Sequence, residues 1–190
     1  MELPRPLVEL TVAEWLDELA LPSPSPGGGS ALAFALASAT AVLAMAARVS
    51  ESSGLAAQAE TLRSRTAALA QLDADAYAAA LDARAANEAL RADRRDWEIG
   101  QAYMRAAEPP LEIARAAVDV AELAMQLVQA GDQRVRADAL AAAVLAAAAA
   151  RGAVALVSVN LTTFEGDPRV AEAMQLAAAA ERAAAFAERC

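Results

Sequence analysis

No histidine occurs among the 190 residues, and the one cysteine, Cys190, is the last of them. Acid/base or nucleophilic chemistry in this chain therefore has to run on Asp, Glu, Arg, Ser, Tyr or backbone amides. The stretch that invites such chemistry is LPSPSPGGGSALAF, residues 21–34. Pro22, Pro24 and Pro26 hold the approach extended, and Gly27, Gly28 and Gly29 let the backbone turn directly into an alanine-rich helix. The first N–H groups of that helix have no partner within it, so they suit an anion or a ligand carbonyl, with the Ser30 hydroxyl alongside. The same glycines serve equally well for close packing against a neighbouring helix, which is the commoner use of glycine punctuation. A phosphate-binding P-loop is excluded, because no Lys-Ser/Thr pair follows and no strand precedes.

Other polar residues are ambiguous on their own. Asp73 and Asp75 sit on an alanine-rich helix and read as solvent-facing acids. Asp138 falls at the start of a helix, where a carboxylate stabilises the positive end of the dipole. Asn160 lies in the apolar run VALVSVNL, where a buried amide needs partners, either a ligand edge or a neighbouring backbone.

The elements that must position these residues are all helical. Apolar residues make up 57% of the chain and aromatics only 4%, so alanine carries most of the apolar fraction and favours closely approaching helices. Thr11-Val12-Ala13-Glu14 has capping-box spacing and opens a first helix with Val12, Trp15, Leu16 and Leu19 inward. A second helix runs from about Gly28 to Ser50. A third, starting after Ser52-Ser53-Gly54, runs to about Leu90 with Leu55, Leu62, Leu69 and Leu72 on a heptad-like seam. The charged patch from Arg91 to Glu98 interrupts or bends the pattern before a short fourth helix. Pro109-Pro110 starts a helix with Val120, Leu123 and Leu127 on one face, stopped at Gly131-Asp132. A helix from about Val135 to Thr163 contains Gly152, and after the EGDP turn at 165–168 a last helix carries Val170, Met174 and Leu176.

Composition narrows the partners. The net charge is −9 and all 16 basic residues are arginine, so phosphate backbones are repelled and nucleic acid is not an expected partner. Residues 31–47 are uncharged, but their alanines, Ser38 and Thr40 fit a buried bundle helix better than a membrane span. The N-terminus lacks a basic start followed by an apolar core, and a lone cysteine fits a reducing compartment, so a soluble, cytoplasmic protein is expected.

The run Pro24-Ser25-Pro26-Gly27-Gly28-Gly29-Ser30 followed by a small-residue helix resembles the signature of the formiminotransferase-cyclodeaminase C-terminal family. This family holds the cyclodeaminases and methenyltetrahydrofolate cyclohydrolases of folate one-carbon metabolism. Three later stretches follow in the family's order: Leu72-Asp73-Ala74-Asp75-Ala76-Tyr77, Pro110-Leu111-Glu112-Ile113-Ala114, and Ala137-Asp138 leading to Gly152-Ala153 and Val159-Asn160-Leu161. The resemblance covers nearly the whole chain. It implies a single all-α domain over residues 1–190, a bundle of about six or seven helices, paired as a homodimer with folate in a cleft near the subunit interface. It assigns Asp73 the catalytic acid/base role. Substrate-binding positions carried over are Pro26, Gly27, Gly28, Gly29, Ser30, Tyr77, Asp138 and Asn160. Asp73 and Tyr77, four residues apart, share a helix face, and an apolar aromatic wall raises a carboxylate's pKa. No metal and no cofactor beyond the tetrahydrofolate substrate is implied.

Three positions depart from the family pattern. Val49-Ser50-Glu51-Ser52-Ser53-Gly54 stands where a Thr-x-Gly-basic-basic stretch is common, Ala137 replaces a serine, and Leu156 replaces an asparagine. Arg48, Arg63 and Arg65 are candidates to restore the lost charge. Two classes of function follow. One is a folate enzyme, a methenyltetrahydrofolate cyclohydrolase ahead of a formiminotetrahydrofolate cyclodeaminase. The other is a non-catalytic folate-binding or structural dimer that keeps the fold.

Overall fold

The computed structural model describes residues 5–87, 91–162, 164 and 166–190. Among them every regular element is helical: α1 (Val12–Ala20), α2 (Gly28–Val49), α3 (Ser53–Ala86), α4 (Ala92–Ala106), α5 (Glu108–Ala130), α6 (Arg136–Asn160) and α7 (Pro168–Arg189), with 3-10 turns at Leu7–Glu9 and Gln133–Val135. The all-α expectation is met. Local chemistry explains the boundaries. Glu14 N–H donates to Thr11 Oγ1 at 3.3 Å while Thr11 N–H donates to Glu14 Oε2 at 2.8 Å, a complete capping box for α1. Pro109 and Pro110 occupy the first turn of α5, and Pro168 that of α7 after Asp167 has capped Arg169 N–H. Gly166 turns with φ +78°, a left-handed conformation that glycine adopts without strain.

α2 packs between α3 and α6, and α5 packs against α6 and α7, while α4 covers the end of α3. The core these helices share is mostly alanine, with Leu36, Leu43, Ile113, Val120, Leu123 and Leu127 as its larger members. Small side chains let backbones approach: a Cβ on Gly152 of α6 would lie 2.8 Å from the Leu32 side chain of α2. Thr40 and Thr66 face each other across the α2/α3 interface at 3.3 Å, and each hydroxyl also donates to its own helix's carbonyls.

Several expectations need correction. Trp15 and Leu19 of α1 are half-buried, but Val12 is 76% exposed and Leu16 is also exposed. The helix lies along the surface and rests only on its Trp15 side, where the indole meets Phe34 with ring centroids 4.5 Å apart. On α3 the seam turns away from Leu72, which is 54% exposed, and the inward positions after Leu69 are Ala70, Asp73 and Ala74. A 3.6-residue period carries the buried face from 66 through 69 and 70 to 73, where a strict heptad reading places 72. The charged patch does not interrupt a helix: Asp93 to Glu98 lie within α4, exposed along most of their length. Met174 of α7 is exposed. The expected end of the third helix at Leu90, the end of the sixth at Thr163, and Glu165 of the EGDP turn fall outside the described residues.

α2 and the segment Gln133–Asn160 are each long and apolar enough to cross a membrane. Both lay their inner faces into the bundle. Their outer faces are nearly uncharged: Ala41 and Met45 on α2, and Ala141, Val144, Leu145, Ala148, Ala155 and Val159 on α6, are exposed together.

Candidate functional site

The loop from Leu21 to Gly27 brings the N-terminus of α2 against the middle of α3. Ser25 Oγ donates to Ala74 O at 2.9 Å and so pins the loop to α3, while Ser23 Oγ closes the loop on Ser25 O at 2.9 Å. No side chain caps α2, so its first N–H groups are open to whatever faces them. What faces them is Asp73. A Cβ on Gly29 would stand 2.0 Å from Asp73 Oδ1, so only glycine admits the carboxylate to this seat. The anion expected at this terminus is the protein's own. Packing and site, open alternatives in the sequence, prove to be one requirement. Gly27 is also tight, with 3.1 Å between its notional Cβ and Pro24 O, whereas Gly28 has ordinary room beside Leu156.

Ser30 is fully buried behind the carboxylate, with Oγ 2.8 Å from Ala70 O and 3.3 Å from Asp73 Oδ2. Its single proton can go to either acceptor: turned to Asp73 Oδ2 it donates to the charged carboxylate, and turned to Ala70 O it leaves a lone pair able to accept from a protonated Asp73. The seat therefore accommodates both protonation states. Asp73 is 8% exposed. Burial pushes its carboxyl up to about 6 from an ordinary 3.8, and the Ser30 hydroxyl and Ser30 N–H, which favour the charged form, restrain the rise.

Asp73 opens onto a recess of about 180 Å³ whose walls come from four places: Pro24, Ser25 and Gly27 to Gly29 from the loop and α2, Tyr77 from α3, Pro110 from α5, and Leu156, Val159 and Asn160 from α6. Asn160 Nδ2 donates to Ala106 O at 2.8 Å, which fixes the amide. Its Oδ1 accepts no hydrogen bond from the described residues and is the atom left for a ligand donor. Tyr77 meets Tyr103 of α4 edge to face, ring centroids 6.3 Å apart. A carboxylate that titrates near neutrality, beside an amide acceptor and an apolar wall, can hold and return a proton to a flat ligand and stabilise positive charge on it.

The structure thus gathers Asp73, Gly27, Gly28, Gly29, Tyr77 and Asn160 around one recess. Pro26 is buried behind the wall, following a cis Ser25–Pro26 peptide, and Ser30 acts through Asp73. Asp138 stands apart: it is exposed in the first turn of α6, 22 residues before Asn160 on the same helix and so about 33 Å away along the axis. Its position answers the helix dipole rather than this recess. Arg48 and Arg63 pair with Glu60, and Arg65 with Glu112 and Asp119 at 3.0 Å each. None of the three lines the recess. Ser25, Pro110 and Val159 are wall residues that sequence reasoning missed as such. All three lie in the family-like stretches, Ser25 before the glycines, Pro110 at the start of α5 and Val159 beside Asn160, while Leu156, met as a departure, supplies an apolar wall.

A search of curated proteins finds no match to this chain. Among solved structures, the chain is similar to the formiminotetrahydrofolate cyclodeaminase of Thermotoga maritima, with a TM-score of 0.85, 22% sequence identity and 96% of each chain covered. That likeness shows a shared fold. The sequence model of the family described as Formiminotransferase-cyclodeaminase matches residues 11–180, from the Thr11 cap of α1 to Ala180 of α7 and across the whole Asp73 recess. On that match the chain belongs to the formiminotransferase-cyclodeaminase family.

Proposed function

We propose that this chain is a folate one-carbon enzyme that hydrolyses methenyltetrahydrofolate to formyltetrahydrofolate, with Asp73 as its acid/base. One observation carries the reading: a carboxyl raised to about 6 sits at the head of a recess, on the open terminus of α2. At pH 7 such a group is mostly ionised and starts as a base. Water adds to the cationic methenyl carbon, and Asp73 takes the proton that this addition releases. Asp73 then gives that proton to the departing ring nitrogen as the carbon–nitrogen bond breaks, takes up the proton that the hydroxyl loses as it becomes the formyl carbonyl, and releases it to solvent. Atoms balance as methenyl cation plus water to formyl product plus one proton. The ionised carboxylate also stabilises the cationic carbon before attack. Asn160 Oδ1 is suited to an N–H edge of the pterin, with Leu156, Val159 and Tyr77 against its faces.

The family's name and that of the similar Thermotoga maritima protein favour a second reading, formiminotetrahydrofolate cyclodeaminase. There the anilino nitrogen closes on the formimino carbon, and Asp73 carries a proton to the departing ammonia. The two are separated with one chromophore. Wild type that accelerates the decay of methenyl absorbance over spontaneous hydrolysis, lost in Asp73→Asn, supports the hydrolase. Growth of that absorbance from the formimino substrate, with ammonia released, supports the deaminase. Binding of tetrahydrofolate without either turnover leaves a non-catalytic folate-binding dimer.

The working form in this reading is a cytoplasmic homodimer. Its support is the mostly apolar outer face of α2 and α6, which has Arg48 and Arg151 among its exposed charges towards the helix ends and edge. Two adjacent helices about 33 Å long and about 10 Å across offer about 650 Å² per copy. That is close to the roughly 800 Å² per partner of a standard interface. Val159 belongs to both this face and the recess wall, so a second copy seated here stands at the mouth of the site.

A further inference from the structure

The connection between α6 and α7 grips one place from both its ends, the corner where α4 turns into α5. At its start, Asn160 Nδ2 donates to Ala106 O at 2.8 Å. At its far end, Arg169 Nη1 donates to Met104 O at 3.1 Å and to Glu108 Oε1 at 2.6 Å, on either side of Ala106. Asp167 aims that guanidinium: its two oxygens accept from Arg169 Nε at 3.0 Å and from Nη2 at 2.7 Å, in a pair whose side chains are only 18% and 11% exposed. Phe164, between the two ends, rests on Gly100 of α4, where an added Cβ would stand 3.2 Å from its ring.

The backbone of the corner cannot hold itself. Carbonyls in the last turn of a helix lack partners within it, and helical continuation would offer Arg105 O and Ala106 O the N–H groups of residues 109 and 110. Both residues are proline and have none. The Asn160 amide fills the place left at Ala106 O, and that bond decides which end of the amide faces the recess, with Nδ2 on the corner and Oδ1 left for the ligand. Moving the corner by about an ångström breaks the bond. The amide is then free to turn, and a ligand N–H meets a donor instead of an acceptor.

We propose that Arg169 is a positioning residue for the recess: it holds the α4/α5 corner where Ala106 O receives the Asn160 amide, and so keeps Asn160 Oδ1 turned to the ligand. Where the ligand is concerned this rests on the folate reading, whereas the hold on the amide rests on the geometry alone. Arg169 is not among the walls of the recess and acts on a ligand only through Asn160. Asp73, seated between α2 and α3, lies outside its reach. A guanidinium suits the task because its planar fork serves Asp167, Met104 O and Glu108 at once, which an ammonium on a flexible stem does not.

The chain has two asparagines, Asn87 and Asn160, so the full-length protein labelled with nitrogen-15 on asparagine alone shows two side-chain amide pairs in its magnetic resonance spectrum. Asn160→Ala identifies them. In Arg169→Gln the Asn160 pair should exchange with solvent about tenfold faster than in wild type, while the Asn87 pair, bonded to Ala83 O at the end of α3, and the helical circular dichroism stay unchanged. Asp167→Asn, which keeps a cap on α7 and loosens the guanidinium, is the milder second variant and should move the same signal. Calorimetric titration should show tetrahydrofolate binding Arg169→Gln about tenfold more weakly, with no further loss when the change is made on top of Asn160→Ala. An Asn160 pair that exchanges as in wild type in both variants overturns the proposal, and so does a loss of affinity that adds in full to that of Asn160→Ala. Equal tetrahydrofolate affinity of wild type and Arg169→Gln overturns it too and leaves the folate reading standing. A loosened Asn160 amide in a protein whose wild type binds no tetrahydrofolate upholds the hold on the amide and removes the folate reading.

Discussion

Replacing Asp73 by Asn should make the protein more stable at neutral pH while removing its acid/base. The folded state holds this carboxyl at about 6 against an ordinary 3.8, chiefly through burial. Between those two pH values the unfolded chain gives up the proton and the folded chain keeps it, so stability falls as pH rises through the window and is flat above it. At about 1.36 kcal/mol per pH unit, the full difference comes to about 3 kcal/mol at pH 7, an upper figure for a group that retains some solvent contact. Asn keeps the shape, its carbonyl can accept from Ser30 N–H, and its amide can donate towards Ser30 Oγ, so the uncharged form fits the same seat. The predicted melting temperature of Asp73→Asn exceeds wild type by about 5–10 °C at pH 7.5 and matches it at pH 3.5. Calorimetric melts at the two pH values, with both proteins refolding reversibly, measure this directly. A variant no more stable than wild type at pH 7.5, or one whose advantage persists unchanged at pH 3.5, would show that the buried carboxylate does not carry this cost.

The same titration should appear in catalysis: kcat/KM for methenyltetrahydrofolate, corrected for spontaneous hydrolysis, rises through about pH 6, and the limb vanishes in Asp73→Asn. Gly29→Ala places a methyl where Asp73 Oδ1 sits, at 2.0 Å. It should cost about a hundredfold in kcat/KM by displacing the carboxylate, with the helical circular dichroism unchanged, and retention of wild-type activity would refute the assigned seat. Val144→Asp with Leu145→Asp puts two charges into the outer face of α6 and should convert a dimer to monomers in sedimentation velocity. A double variant that sediments as wild type does would exclude this face as the interface.

What is legible in the sequence depends on which forces are local. Caps and breakers act within a turn, so the boundaries at Thr11, Gly28, Pro109 and Gly131 are met within a residue or two. The buried stripe of α3 is harder to read because an alanine-rich helix has little contrast between its faces. With leucines at 55, 62, 69 and 72 as its landmarks, the heptad reading lets Leu72 draw the seam one residue away from Asp73. α1 fails for a different reason. Its amphipathic spacing is genuine, but only the Trp15 and Leu19 side is half-buried against the bundle, and Val12 and Leu16 stay exposed. Asp73 itself is reached through resemblance. Its composition-level reading, a solvated acid, fails because the cavity that receives it is made by the absence of a side chain at Gly29, 44 residues earlier, which no local pattern records.

A core of alanines reverses the usual ranking of harmful substitutions. Truncation, the standard way to weaken a protein interior, has little to remove where most buried positions already end at Cβ. Enlargement is the danger: at Gly152, where a single added carbon meets Leu32 at 2.8 Å, or at the buried alanines of α2, α5 and α6, each further methylene must force two backbones apart. Because α2 and α6 carry opposite walls of the recess, such a shift would reach Asp73 and Asn160 together. Single-nucleotide changes from Ala to Val or Thr in these helices should therefore be screened against far more severely than the mildness of those replacements elsewhere would lead one to expect.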